Sequence, residues 1–216
     1  MSSSTGLSLK FFAEMSDGDA GPSTPLSAKR RAQLAQDDRF IVMGISNTGH
    51  YRLEPLGSHY DRAGFRCGIE SLDIYLKAQA SQEMRRKANA VFVLLPKGSS
   101  SLIAGFFTLC AYGLAPGAIP EAARKHIPRY PMVSATLLGR LAVSTEFQGR
   151  SLGSVLLAKA LEKAFENAAQ VGSSMVVVDA IDERAAKFYA AHGFLRLPDS
   201  IRLVLPMRTI AALIQP

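Results

Sequence analysis

The apolar run "TLLGRLAV" breaks at Val143 into the polar turn "STEFQGRSLGS", which opens directly onto "VLLAKALEKAFENAA". The first piece reads as a buried strand. The last has helical period: Lys159, Glu162, Lys163, Glu166 and Gln170 form a solvent stripe, and Leu152, Leu156, Ala160, Ala164 with Leu157, Leu161, Phe165, Ala168 fill the other side. A strand that turns at once into an amphipathic helix lays that helix on a sheet face, so the fold class is α/β or α+β, a mixed central sheet flanked by helices. The first four N–H groups of such a helix lack partners inside it, and the aligned peptide dipoles leave about half a positive charge there. Small residues let an anion reach that backbone, and Arg150 adds a full charge. Such a helix mouth binds phosphate. The G-K-[ST] ending of a P-loop and the G-x-G-x-x-G of a dinucleotide turn are both missing. Taken alone, the turn is equally compatible with glycines that only permit tight packing.

The flanking segments extend the pattern. "SLDIYLKAQASQEMRRK" reads as a helix with Ser71 as N-cap and Leu72, Tyr75 and Leu76 on one face. "NAVFVLLP" and "SLIAGFFTLCAY" are β-rich runs separated by "KGSSS", a turn of hairpin length. A long proline-punctuated connection precedes "TLLGRLAV". "SMVVVDA" is a central strand by its unbroken apolar run. "DERAAKFYAAHG" is a helix opened by Asp182 and closed by His192 and then Gly193. "IRLVLPM" is a last strand and "RTIAALIQP" a terminal helical piece. Residues 1–40, rich in Ser, Gly, Ala, Pro and Asp, read as a poorly ordered extension with a short helix over "SAKRRAQLAQ"; the folded domain spans 41–216, beginning near the strand-like "RFIVMGIS" or "YRLEPL".

Charge narrows the partners. The net charge is +7 over 216 residues. Lys10, Lys29, Arg30, Arg31 and Arg39 cancel Glu14, Asp17, Asp19, Asp37 and Asp38, so the excess belongs to the folded part. A basic domain suits an anionic partner such as nucleic acid, a membrane surface or a phosphate-rich cofactor. Cys67 and Cys110 form no framework, which favours a reducing cytoplasmic setting. The four histidines show no metal spacing, and no metal is expected. The uncharged stretch Leu102–Pro120 holds Gly105, Gly113, Pro116, Gly117 and Pro120 and reads as a buried strand and loop; no membrane span and no signal peptide are expected.

With these segments in place, "GRLAVSTEFQGRSLGSVLLAKAL" resembles the coenzyme-A loop of the GNAT N-acetyltransferases, a Gln/Arg-x-x-Gly-x-Gly/Ala pattern that falls here on Gln148 to Gly153. "VVVDAIDERAAKFYAAHGFLRLPDSIRLVLPM", "FRCGIESLDIYLKAQA" and "IAGFFTLCAYGL" resemble one branch of that family, the tRNA-acetylating toxins of toxin–antitoxin pairs, over residues 51–207. One departure stands out: Ser151 occupies the first motif glycine, and a serine in ordinary helical geometry would still offer its N–H.

The resemblance implies a GNAT acyltransferase fold, acetyl-CoA as co-substrate and an aminoacyl-tRNA α-amine as acceptor. It places the pyrophosphate on the backbone of Gly149, Arg150, Ser151, Leu152, Gly153 and Ser154, and the pantetheine arm along Leu141, Ala142 and Val143. It makes Tyr189 the catalytic residue, a phenol that donates to the departing thiolate. The run Arg85, Arg86, Lys87 is the candidate tRNA contact, with Arg124, Lys125 and Arg129 as further cations in the long connection. "TLLGRLAV" lacks the carboxylate with which lysine-directed relatives deprotonate their amine. An α-amine near pKa 7.7–8.0 needs such a base less than a lysine near 10.4. A small DNA-binding antitoxin of ribbon-helix-helix type and a homodimer are the implied partners. Two alternatives remain open on sequence: acetylation of a protein or small-molecule amine, and a catalytically weak acyl-CoA-binding module.

Overall fold

The computed structural model describes residues 50–124, 127 and 130–214. The N-terminal extension, the strand over "RFIVMGIS", the helix over "SAKRRAQLAQ", Lys125 and Arg129 lie outside the described residues. In chain order the elements are β1 (Tyr51–Pro55), α1 (Glu70–Ile74), a π-helical turn (Tyr75–Gln79), α2 (Ala80–Arg85), β2 (Ala90–Pro96), β3 (Gly105–Leu114), α3 (Glu121–Arg124), β4 (Val133–Val143), α4 (Leu152–Val171), β5 (Met175–Asp179), α5 (Glu183–Ala191), β6 (Leu195–Arg196), β7 (Arg202–Pro206) and α6 (Met207–Ile214). The strands form one mixed sheet in the order β1-β2-β3-β4-β5-β7-β6. Every neighbouring pair is antiparallel except β4 and β5.

Each sheet face has its own core. Leu138, Leu141 and Val143 of β4 and Val176 and Val178 of β5 pack against Leu156, Leu157 and Leu161 of α4 and Phe188 and Tyr189 of α5. On the opposite face Ala142 joins Leu72, Tyr75, Leu76 and Ala80 of the first helices, with Phe106 of β3. The solvent stripe expected on α4 is present, with Lys159–Glu162 and Lys163–Glu166 pairs one turn apart along it.

A bulge lets β4 serve both cores. Its register against β3 slips between Thr108 and Leu109, which pair with Arg140 and Leu138 and leave Gly139 as the extra residue. A Cβ on Gly139 would come within 3.0 Å of Thr108 Oγ1, so glycine suits the site. Because side chains alternate strictly along a strand, the extra residue shifts the phase by one. Arg140 and Ala142 then face the first helices, while Leu141 and Val143 stay with α4.

Two local expectations are corrected, and one element is added. Ser71 is not the N-cap: α1 starts at Glu70, with Ile69 in the cap position and no side-chain cap bond. What closes the turn before the helix is the Asp73 carboxylate, which accepts from the Cys67 N–H at 2.8 Å. The hairpin between β2 and β3 exists, but its connection is longer than "KGSSS": β3 begins at Gly105, and Leu102 bridges Asp61 instead. The structure adds a short β6 inside "FLRLPDS"; two residues carry too little pattern to register in sequence. Asp182 and Gly193 behave as expected, the first accepting from the Ala185 N–H at 2.8 Å, the second at φ +84°.

Candidate active site

β4 and β5 are hydrogen-bonded only from Thr136 and Val176 to Leu138 and Val178. β4 then runs on to Val143, paired with β3 alone, while β5 stops at Asp179. The two strands part there and leave a wedge whose β4 wall has one unpaired side. Leu141, Ala142 and Val143 bury their side chains, so what they present to the wedge is backbone, which can pair with an extended ligand as a sheet edge does with a peptide.

The loop after β4 is held from both ends. Gln148 donates from Nε2 to the carbonyls of Val143 and Cys67, each at 3.0 Å, tying the loop to the strand end and to the segment before α1. Gly149 follows at φ +74° and Ser151 at φ +55°, ψ +17°. Both are left-handed, so Ser151 does not sit in ordinary helical geometry: the first motif glycine position does demand a glycine-like backbone, and the serine adopts it. That conformation costs a side-chain-bearing residue about 1–2 kcal/mol, and the Ser151 hydroxyl makes no capping bond in return. Among the described residues the N–H groups of Gly149 to Gly153 have no backbone acceptor, whereas that of Ser154 bonds the Ser151 carbonyl at 3.2 Å. Arg150 is exposed, its guanidinium 5.9 Å from the Phe147 ring centre.

The Ser154 hydroxyl is committed elsewhere. His192 Nδ1 lies 2.8 Å from the Phe188 carbonyl and Nε2 lies 3.0 Å from Ser154 Oγ. A carbonyl only accepts, so Nδ1 carries the proton and Nε2 accepts from the serine. This contact clips the last turn of α5 to the first turn of α4. Tyr189 lies on that last turn, 0% exposed, with Phe188 and Phe194 edge-on at 5.3 and 5.4 Å. Among the described residues its hydroxyl has no hydrogen-bond partner. Burial alone pushes the phenol well above its ordinary range, so it stays protonated and is a donor. Orphaned buried hydroxyls are uncommon and cost about 1–3 kcal/mol; this one belongs to the same apolar cluster as Leu141 and Val143.

The opposite sheet face carries a polar cluster beside its apolar core. Arg140, 4% exposed, stacks its guanidinium 3.5 Å from the centre of the Tyr75 ring. Glu83 of α2 lies 3.6 Å from it, and the same carboxylate oxygen accepts from Tyr75 Oη at 2.8 Å and Asn89 Nδ2 at 2.7 Å. Sequence reading missed this cluster, because nothing in the spacing of Tyr75, Glu83 and Asn89 relates them to a strand far along the chain. β4 itself indeed carries no carboxylate. Arg202, unassigned from sequence, forms a two-pronged pair with Asp179 at the end of β5, and its guanidinium lies 5.3 Å from the Tyr112 ring centre. Arg85, Arg86 and Lys87 are exposed at the end of α2, where Lys87 at φ +59° terminates the helix. Among the described residues no cluster has a metal-binding donor set, and no helix is long and apolar enough to cross a membrane.

A model of the acetyltransferase (GNAT) family matches residues 73–194. The chain is a GNAT acetyltransferase. Its relatives narrow the branch. The "tRNA-acetylating toxin" of Mycobacterium tuberculosis is 33% identical to this GNAT chain over 155 residues, 71% of this chain and 90% of the relative. AtaT, in a structure complexed with acetyl-methionyl-tRNAfMet, superposes with a TM-score of 0.70 at 28% identity, covering 76% of this chain and 99% of AtaT. AtaTR bound with AcCoA matches with a TM-score of 0.67 at 27% identity over 77% and 99% of the two chains. An AtaT mutant toxin bound to the C-terminus of the antitoxin AtaR matches with a TM-score of 0.65 at 26% identity over the same 77% and 99%. Acetyl-CoA, the donor of this GNAT enzyme, fits the residues present: free loop N–H groups suit a pyrophosphate, the one-sided strand suits an extended amide arm, and the orphaned phenol suits a sulfur leaving group.

Proposed function

We propose that this enzyme moves acetyl from acetyl-CoA to the α-amine of an aminoacyl-tRNA and thereby acts as a translation-blocking toxin, held in check by a small DNA-binding antitoxin of ribbon-helix-helix type. The observation that carries the chemistry is the Tyr189 hydroxyl, wholly buried and without a partner, in the apolar cluster that lines the one-sided end of β4. Attack of the amine nitrogen on the thioester carbon forms the C–N bond, breaks the C–S bond and leaves a thiolate; the amine loses one proton. Backbone N–H groups of Gly149 to Gly153 hold the pyrophosphate, and Leu141, Ala142 and Val143 align the arm. Tyr189 donates a hydrogen bond to the sulfur. Because burial raises this phenol's pKa, hydrogen bonding to the thiolate is a better description of its role than complete proton transfer.

The acceptor side supports an α-amine. β4 offers no base, and the Glu83 carboxylate brought beside it already balances buried Arg140, as Asp179 at the end of β5 balances Arg202. A weakly basic amine, partly free at neutral pH, suits that arrangement. The exposed run Arg85, Arg86, Lys87 lies on the helices of this face and is a phosphate contact in this reading. The direct test incubates the protein with labelled acetyl-CoA and charged tRNA. Label should appear on the aminoacyl end, and Tyr189→Phe should lose about 10²–10⁴ in kcat. Label on proteins or free amines but none on charged tRNA would sink the substrate assignment. Expression should arrest growth, and co-expression of its antitoxin should relieve it.

A further inference from the structure

The ion pairs of the described residues are Arg52–Glu54, Arg140–Glu83, Lys159–Glu162, Lys163–Glu166, Arg196–Glu183 and Arg202–Asp179. Three cations that share a cleft are absent from these pairs. A cavity of about 400 Å³ beside the first helices is lined by Tyr60, Asp61, Arg62, Ala63, Arg66 and Lys77. Its arginines are oriented by neutral partners. Arg62 donates from Nη1 to Ser81 Oγ at 2.5 Å, and Arg66 donates from Nη1 to the carbonyls of Ala63 and Phe65 at 2.6 and 2.9 Å. Those bonds fix the guanidinium forks without cancelling their charge. The single acid of the cleft, Asp61, turns Oδ1 back onto the Gly64 N–H at 2.9 Å. Three cations face one preoccupied carboxylate, the electrostatics of an anion seat.

The cleft is also joined to the donor loop. The Arg66 carbonyl accepts from the Thr145 N–H at 2.8 Å, and the Cys67 carbonyl from Gln148 Nε2 at 3.0 Å. It nevertheless lies in the segment leading into α1 and on the π-helical turn, on the sheet face opposite α4 and α5, so an anion there arrives with the acceptor and not with the donor. We propose that Arg62, Arg66 and Lys77 seat a backbone phosphate at the single-stranded 3′ end of the acceptor RNA, registering the aminoacyl group against the donor loop through the bonded seam at Arg66 and Thr145. This rests on the RNA-acceptor reading above and adds the residues that read it.

The test uses the full chain, charged tRNA and acetyl-CoA, with Lys77→Gln and the double variant Arg62→Gln/Lys77→Gln. Lys77 is half-exposed and has no bonded partner among the described residues, so the single variant keeps the test valid if loss of the Arg62–Ser81 bond perturbs folding. The expected result is a KM for charged tRNA raised about 10-fold in the double variant, with kcat at saturating tRNA and KM for acetyl-CoA both within about twofold of wild type. The slope of log KM against log salt should shrink by about 0.7 for each phosphate that is no longer neutralised. An unchanged tRNA KM and salt slope in both variants overturns the assignment. So does a rise confined to acetyl-CoA KM, which would give the seat to a donor phosphate. Failure of the wild-type protein to acetylate any charged tRNA is a separate result, and it removes the acceptor reading itself.

Discussion

Replacing Ser151 by glycine should stabilise this enzyme, although the residue lies at the mouth of the proposed donor site. Ser151 is held at φ +55°, ψ +17° without a side-chain capping bond. The left-handed backbone costs a residue with a Cβ about 1–2 kcal/mol. Glycine removes that strain but frees the unfolded chain by about 0.4–1 kcal/mol, so the net gain is about 0.5–1 kcal/mol. For a chain of this size that corresponds to a rise of about 1–4 °C in Tm. Ser151→Ala keeps the Cβ and loses no cap, so its Tm should match wild type. Gly149→Ala is the mirror experiment: φ is +74° and nothing lies within 4 Å of the added Cβ, so backbone strain acts alone and should lower stability by about 1 kcal/mol. The strain is carried by folding, so the dissociation constant for acetyl-CoA should stay within about twofold in Ser151→Gly, since only a differential between free and bound states moves an affinity. Differential scanning calorimetry and isothermal titration suffice. The reasoning fails if Ser151→Gly melts below wild type, or if Ser151→Ala gains as much as Ser151→Gly.

Tyr189→Phe, besides losing rate, should melt no lower than wild type and up to about 1–3 kcal/mol more stable, because it deletes a buried hydroxyl with no partner; a clear loss of stability would mean the hydroxyl is bonded. The same burial raises the phenol's pKa, so the rate should climb with pH as the acceptor amine deprotonates near 7.7–8.0 and then stay level to about pH 10; a fall in the pH 9–10 range assigned to Tyr189 would contradict its environment. Arg196 holds the Glu183 carboxyl below its usual range, so this pair stabilises the fold above the unfolded carboxylate pKa and stops doing so as pH falls through the folded value. Glu183→Gln should therefore differ from wild type at pH 7 and converge with it toward pH 3 in urea titrations, and a difference that grows on acidification would reverse the sign. Burial, with help from Asp73, pushes the Cys67 thiol up to about 12, so iodoacetamide at pH 8 should leave it untouched in the native protein and modify it on unfolding.

Much of this architecture is written in local pattern. The α4 stripe, the unbroken run of β5 and the Asp182 and Gly193 ends of α5 each depend on residues close together in sequence, where period and capping chemistry decide the outcome. Tyr189 and the loop were singled out for a different reason, their likeness to a family; no periodicity distinguishes that tyrosine from its packed neighbour Phe188. The backbone state of Ser151 was not legible, because a left-handed serine is a consequence of how Gln148 anchors the loop to Val143 and Cys67. Long-range pairings were invisible altogether. Glu83 meets Arg140, and Arg66 meets Thr145, only after the sheet has brought distant segments together. Ser71 misled for a simple reason: a favourable capping residue lost to a carboxylate two positions on, which closed the preceding turn first.

The one-residue slip at Gly139 decides which kinds of mutation β4 can survive. Substitution there, even by alanine, asks only that the Thr108 side chain give way. Removing the residue sets Arg140 directly after Leu138, opposite the adjacent Leu109 and Thr108, and a regular strand then keeps every downstream side chain on its present face. One further residue would instead turn them over, driving the guanidinium of Arg140 among the leucines under α4 and Leu141 and Val143 beneath Tyr75. The strand can therefore give up its extra residue, but it cannot take in another.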